Sequence, residues 1–237
     1  MACLKTSPTF RALCATTAIV CTTASFAQSF FGIGYSGTWY TRSLRNLEVM
    51  AFSLNEVQHP YWTEKLDPGR TAHGLVFDYH LELDDNWGLF VYWKNHHARY
   101  TAGGVNPATG FDEEMELKVR LNTFGLLGFE VFGEHWRAGA SFDLGAGRVF
   151  QRYSTFDDQD PDWEPFYAKS QGFISDYMVT GCSAFVHYKI GRARVSAQWF
   201  YDWYGIAPFD RVEPTKQFYY RFSNLSLGVH FDLGKMD

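Results

Sequence analysis

The sequence predicts an all-β protein: an up-and-down antiparallel transmembrane β-barrel of about eight strands, with a short helix in its first long connection. Three observations predict it. Apolar and polar residues alternate with period two through eight separate segments, as strands with two unlike faces require. Tight turns alternate with long polar loops between those segments, which describes successive hairpins around a barrel with two different ends. Aromatic residues make up 19% of the chain and recur near strand ends on the apolar faces, where rings with a polar edge suit a lipid–water boundary.

The elements follow in order. Lys5 and Arg11 flank and precede "ALCATTAIVCTTA", which is short and built of apolar or small residues, and Ser25 and Ala27 hold the small-residue positions of a cleavage site. Residues 1–27 are therefore read as a signal peptide and 28–237 as the barrel. Cleavage removes two bases and no acid from a chain whose formal charge is already −5, so nucleic acid is a poor partner. It also removes Cys3, Cys14 and Cys21, leaving Cys182 alone without a disulfide partner.

The first strand, "FFGIGYSGTWYT", sets Phe31, Ile33, Tyr35 and Trp39 against Gly32, Gly34, Ser36 and Thr38. "SLRNLEVMAFSLNEVQHPYW" then has Leu44, Leu47, Ala51, Leu54 and Val57 near helical spacing and stops at Pro60, which predicts a short amphipathic helix able to plug or cover the barrel. The second strand, "HGLVFDYHLELD", opposes Leu75, Phe77, Tyr79, Leu81 and Leu83 to Asp78, His80 and Glu82. In the third, "WGLFVYWKNHHARY", Trp87, Leu89, Val91 and Trp93 share a face. The fourth, "EEMELKVRLNTFGLLGFEV", alternates Met115, Leu117, Val119 and Leu121 with Glu114, Glu116, Lys118, Arg120 and Asn122. Four more follow: "WRAGASFDLGAG", "YMVTGCSAFVHYKI", "ARVSAQWFYDWY" and "NLSLGVHFDL". Tight turns are marked at Asp84, Gly133 and Gly191, and long loops at Gly103–Asp112, Ser154–Gln171 and Gly205–Lys216.

Alternation alone does not say which face is inside. Glycines on the polar faces suit a narrow, side-chain-filled lumen. Charges of both signs at mid-strand can pair there. Strands of ten or so residues match a tilted bilayer crossing, and a closed barrel satisfies every backbone group in lipid. The polar faces are therefore expected inside. The interior network is read as Asp78, His80, Glu82, Glu114, Glu116, Lys118, Arg120, Arg137, Asp143, Arg194 and Asp232, with Met115–Leu121 meeting lipid. The boundary aromatics are read as Tyr35, Trp39, Trp87, Trp93, Tyr188, Trp199 and Trp203.

On these segments, and on the terminal strand "LSLGVHFDL" with Phe231 and Leu233, the chain resembles the small eight-stranded outer-membrane barrels of Gram-negative bacteria, the OmpA transmembrane-domain and OmpX type. The resemblance implies a bacterial outer-membrane location, lipid as surroundings, a monomer, and a structural or surface-binding role through long extracellular loops. No catalytic group or cofactor is expected, and little conductance. Two alternatives stand beside it. A lipid-modifying barrel enzyme would draw on His96, His97, His187, Asp78 or His80. A soluble periplasmic carrier would have the same faces reversed around an apolar ligand. The loop acids Asp158, Asp160, Asp162 and Glu164 offer oxygens at alternate positions to a calcium ion, although no glycine stands at the turn and Pro161 intrudes.

Overall fold

The computed structural model describes residues 28–41, 45–155, 157–158, 161–165, 177–206 and 223–236, so residues 1–27, read as the signal peptide, lie outside the described residues. Eight long strands carry the fold: β1 (Gln28–Tyr40), β2 (Thr71–Asp84), β3 (Trp87–Val105), β4 (Asp112–Phe132), β5 (Trp136–Ser154), β6 (Tyr177–Ile190), β7 (Ala193–Ile206) and β8 (Asn224–Met236). Each pairs antiparallel with its neighbours in sequence, and β1 pairs with β8, so the sheet closes on itself and has no free edge among these strands. A two-residue strand, Glu164–Pro165, adds to the outer reach of β5. The helix α1 (Arg45–Phe52) lies in the first long connection and continues as a π-helical turn over Ser53–Gln58.

Period-two alternation decides which way the wall faces. In β7 and β8 the runs Val195–Trp203 and Leu225–Leu233 turn Val195, Trp199, Tyr201, Trp203, Leu225, Leu227, Val229, Phe231 and Leu233 outward, while Arg194, Ser196, Gln198, Asp202, Ser226 and His230 are buried in the lumen. Each run covers a crossing length of about nine residues. The polar set inside and the apolar set outside make this a transmembrane barrel. The reversed arrangement that a soluble carrier needs is not adopted by these strands.

The wall is not of even height. β3, β4 and β5 have 19, 21 and 19 residues, against 13 or 14 in the other five strands. The excess lies at the loop end. β2 and β3 pair only as far as His73 and His97, whereas β3 and β4 remain paired to Val105 and Asp112, and β4 and β5 to Glu114 and Ser154. Eight extra residues carry this three-stranded extension about 20 Å past the apolar belt, allowing for tilt.

The extension overturns one expectation. Met115, Leu117, Val119 and Leu121 are buried inside, and Glu114, Glu116, Lys118 and Arg120 face out. These four charged residues are not part of the lumen network, and Met115–Leu121 does not meet lipid. The cause is a one-residue β-bulge lower on the same strand. Phe90 pairs with Gly128 but Tyr92 with Gly125, and on the other side Leu126 pairs with Phe142 but Phe129 with Ala140. Leu126 and Leu127 both point outward, with Leu127 in the left-handed region at φ 51° and 87% exposed. Alternation restarts one residue out of phase. Below the bulge, Phe129 and Val131 face lipid and Glu130 faces the lumen.

Candidate functional site

The lower lumen holds a continuous charge network. Arg194, with no exposed surface, donates from Nε to Asp232 (2.6 Å), from Nη2 to Asp78 (2.6 Å), and from Nη1 to the imidazoles of His80 (3.0 Å) and His187 (3.2 Å). His80 donates from Nδ1 to Glu130 (2.9 Å). Glu130 accepts again from Arg137 Nη1 (3.0 Å), and Arg137 Nη2 reaches Glu82. Four carboxylates thus share two guanidiniums, and each guanidinium bridges acids from different strands. Phe30 covers the polar planes, stacked on His80 at 4.6 Å and lying under both arginines. Gly32 makes the geometry possible, because a Cβ there would overlap Asp78 and Arg194.

A second polar layer lies above. Asp143 accepts from Ser141 (2.6 Å) and Ser183, while Tyr92 receives a bond from Gln198 (2.8 Å) and carries Lys94 near its ring. Between the layers is a cavity of about 20 Å³ lined by His80, Tyr92, Lys94, His187, Ser196 and His230, among others. Its volume is that of roughly one water.

One connectivity here carries catalytic interest. Ser196 Oγ lies 2.9 Å from His230 Nε2, and His230 Nδ1 lies 2.5 Å from Asp78. This is the order nucleophile, base, orienting acid. Two features oppose its use. The serine lines the small cavity, which is too small for an acyl chain. Asp78 is also committed to Arg194, which donates to its other carboxylate oxygen. Of the histidines considered for lipid chemistry, His96 is buried against Ser36 (2.7 Å) and Thr38 (3.0 Å), His187 belongs to the Arg194 network, and His97 lies on the outer face.

The loop end is closed by different chemistry. Leu47, Ala51 and Leu54 of the helical segment, with Trp62 and Leu66, pack on Ala102, Met115, Leu117, Val119, Val149, Val179 and Phe200 of the wall. The extension needs its apolar face inside because the helix fills it. Asn55 fixes the returning chain by exchanging bonds with Leu66, 2.9 Å from its amide to the Leu66 carbonyl and 2.8 Å from the Leu66 N–H. Glu113 then ties cap to wall. It accepts from Tyr61 of the cap (2.5 Å), Tyr153 of β5 (2.7 Å) and Asn106 of the hairpin loop (2.6 Å). Burial alone would raise the Glu113 carboxyl, but these three donors outweigh it and hold the group below the ordinary carboxylate value. The same arrangement pushes the Tyr61 phenol up to about 12, burial first and the Glu113 carboxylate second. His59, stacked on Trp62 at 4.1 Å, is lowered by burial, with Glu113 pulling the other way.

Asp78, His80, Glu82, Arg137, Asp143, Arg194 and Asp232 therefore come together in the lumen, in two layers. Glu130, His230 and Lys94 join them and were not singled out from sequence. Glu130 shares the parity of Glu114–Arg120, the face that uniform alternation expects inside, but Phe124 and Leu126 stand between them and make that face mixed. Of the aromatics, Trp87 and Tyr188 lie outward near the tight turns, and Trp39 and Trp203 outward toward the loops. Tyr35, Trp93 and Trp199 also face out, but at mid-strand, with Tyr35 bonded to His73. Trp93 donates to Asn122 (3.2 Å), which also receives Asn95 (2.7 Å), and these two asparagines are the first polar outward residues above the apolar belt on their strands. Among the loop acids, Asp160 lies outside the described residues; Asp158, Asp162 and Glu164 are exposed, and the described residues form no cluster of three histidine, cysteine or carboxylate groups that could hold a metal ion.

A closed sheet, an apolar belt and a filled polar lumen define a small eight-stranded barrel of the outer-membrane type. No family model and no curated protein matches the sequence. Among solved structures, Ail, the attachment invasion locus protein of Yersinia pestis, in complex with the heparin analogue sucrose octasulfate, has a TM-score of 0.42 at 13% identity, over 87% of this chain and 99% of that one. OprG, an outer membrane protein from Pseudomonas aeruginosa, has a TM-score of 0.38 at 10% identity, over 87% and 96%. A deletion mutant of the monoaromatic hydrocarbon channel TodX has 0.34 at 14%, over 74% and 46%. Likeness this remote assigns neither a site nor an activity.

Proposed function

We propose that the protein is a monomeric bacterial outer-membrane barrel without catalytic activity or cofactor, exported by a cleaved signal peptide. Its stem is a rigid, non-conducting anchor. Its work is structural or surface-binding and is done by the extension and long loops at the loop end. The observation that carries this reading is closure of one lumen at two levels by unrelated means. Arg194 and Arg137 bridge the wall below, and the Leu47–Leu66 cap fills it above. An eight-stranded barrel has room for side chains and little more.

The test is single-channel recording of the refolded mature chain in planar bilayers, with fractionation of expressing cells. Outer-membrane location, a heat-sensitive gel shift and no stable openings are expected. A large, lasting current would overturn the closed stem. One observation favours a second reading, a lipid-modifying enzyme: the Ser196–His230–Asp78 connectivity. A fluorophosphonate probe should leave Ser196 unlabelled in the folded barrel. Labelling lost in Ser196→Ala would make the enzyme the better account.

A further inference from the structure

Four side chains of unlike chemistry meet at one point of the loop end. Glu113 on β4 is buried beside the cap, and its Oε2 receives Tyr61 Oη of the cap at 2.5 Å and Tyr153 Oη of β5 at 2.7 Å. His59 Nδ1 lies 3.1 Å from the Tyr61 oxygen and 3.9 Å from the same Glu113 oxygen. These groups come from three separate parts of the chain, and each is fixed by contacts of its own. His59 and Tyr61 flank Pro60, in a turn closed by His59 N–H to the Leu54 carbonyl (2.8 Å) and Trp62 N–H to the His59 carbonyl (3.1 Å). The His59 ring stacks on Trp62. The register sets Glu113 opposite Gly104 and Tyr153 opposite Met115. Asn106 holds the other Glu113 oxygen at 2.6 Å. The point is within reach of solution, since the His59 and Glu113 side chains keep 19% and 10% of their surface exposed.

One phenol and one carboxylate suffice for a hydrogen-bonded latch. Here two phenols and an imidazole converge on a single carboxylate oxygen. Oxygen donors select hard cations, imidazole favours transition metals over calcium and magnesium, and the set holds no thiolate, the ligand of softer ions. The spacings suit a small octahedral ion. With bonds of about 2 Å, neighbouring ligand atoms lie about 2.8 Å apart and opposite ones about 4 Å. The pairs at 2.5, 2.7 and 3.1 Å fit the first distance and the pair at 3.9 Å fits the second. Charge fits as well: two phenolates and one carboxylate neutralise a trivalent cation, leaving no buried excess of either sign. We propose that Tyr61, Tyr153, His59 and Glu113 bind a ferric ion taken from outside the cell, which joins the cap to the wall. Binding replaces the two phenolic protons, which pass to solvent, and leaves the remaining octahedral positions to water or a small anion. Histidines, cysteines and acids alone form no such group among the described residues, so the site depends on its tyrosines. The proposal names a ligand for the surface-binding role above, and rests on that reading for the side from which the ion comes.

The experiment titrates the refolded mature chain in detergent with ferric nitrilotriacetate. It reads the visible absorption of phenolate-to-iron charge transfer, and the iron retained per chain after desalting. One equivalent of iron and a visible band are expected. Tyr61→Phe with Tyr153→Phe should abolish the band and weaken retention by about a hundredfold or more, since loss of an outer-shell partner alone costs about 10–100-fold. Each single variant should weaken the band, and keeps the test alive should the pair fail to fold. Tyr100→Phe removes another phenol packed on the cap, bonded to the Gly69 carbonyl, and should change nothing. A wild type without the band overturns the proposal. So do band and retention unchanged in the Tyr61 and Tyr153 variants, which would make the iron adventitious. Equal displacement by zinc overturns the assignment to a trivalent ion. The titration needs no bilayer, so a chain that proves soluble without detergent would defeat the membrane reading and leave the iron site standing; the two failures are distinguishable.

Discussion

The two halves of β4 obey opposite rules. From Gly128 to Phe132 the strand shows Phe129 and Val131 to lipid and Glu130 to a polar lumen. From Glu114 to Leu121 it shows Glu114, Glu116, Lys118 and Arg120 to the outside and lines a greasy interior with Met115, Leu117, Val119 and Leu121. The same strand is thus a membrane wall below and a soluble-protein wall above. What changes is the solvent on each side. Below the boundary the outside is lipid and the lumen must satisfy charges; above it the outside is water and the lumen contains a helix. A single extra residue at Leu127 puts the two halves in opposite sequence phase, because a shift by one moves every side chain to the other face.

Removing that residue tests the account directly. Deleting Leu127 lets β4 pair without a break and leaves Glu114–Arg120 outside and Phe129 and Val131 toward lipid, because the phase change then needs no bulge. The deletion is expected to fold in detergent, read as a retained heat-modifiable band. Loss of that band would mean that the bulge does more than set the phase of the two halves.

The largest expected effect is that of Arg194→Met, which attacks the lower half alone. It leaves Asp78 and Asp232 without their main cation, and breaking a buried pair from one side costs about 3–5 kcal/mol. Asp78→Asn added to it should return part of the loss. Unfolding in urea-containing detergent measures both. If the stem tolerates Arg194→Met at under about 1 kcal/mol, the network is not a main source of its stability.

A matched pair sharpens the comparison. Leu126→Arg and Glu114→Arg both place a cation on the outside of β4, one in the middle of the belt and one on the extension. In the lipid belt the change should cost about 2–4 kcal/mol. On the water-facing extension it should lie within about 0.5 kcal/mol of zero. Similar costs at both positions would mean that the extension is immersed too.

These contrasts also explain how much was legible from sequence. The eight strands, the tight-turn and loop ends, the helix before Pro60 and the outward faces of β7 and β8 follow from period two, turn chemistry and helical spacing. Most of the lower network follows as well, since Asp78, His80, Arg137, Asp143, Arg194 and Asp232 share faces with glycines and serines. The assignment failed on β4, where alternation is clean on both sides of a bulge but its phase is not shared. The signal was present in "TFGLLGFEV": Phe124, Leu126, Phe129 and Val131 cannot all lie on one face without a slip between them. The cap contacts were not legible, because Glu113 meets Tyr61, Asn106 and Tyr153 only through the closed register.

The smallest expected effect concerns that cap. Glu113 is held below its ordinary value of 4.5 in the folded protein, so its bonds stabilise the cap above that value and are lost as pH falls through the folded value. Near neutral pH the latch is intact, and acidification protonates the carboxylate and weakens the three donors' hold. The change in cap opening should be about 1–2 kcal/mol, in line with hydrogen bonds to a charged acceptor. Hydrogen exchange at Leu54, Trp62 and Leu66 should therefore quicken on acidification, after correction for intrinsic rates, while amides of β7 and β8 stay protected. Glu113→Gln should open the cap at neutral pH and remove the acid dependence. An acid response that persists in Glu113→Gln would place the titrating group elsewhere. A response that spreads to β7 and β8 would mean that the cap and the membrane stem do not open separately, and that the two halves of the molecule are one cooperative unit.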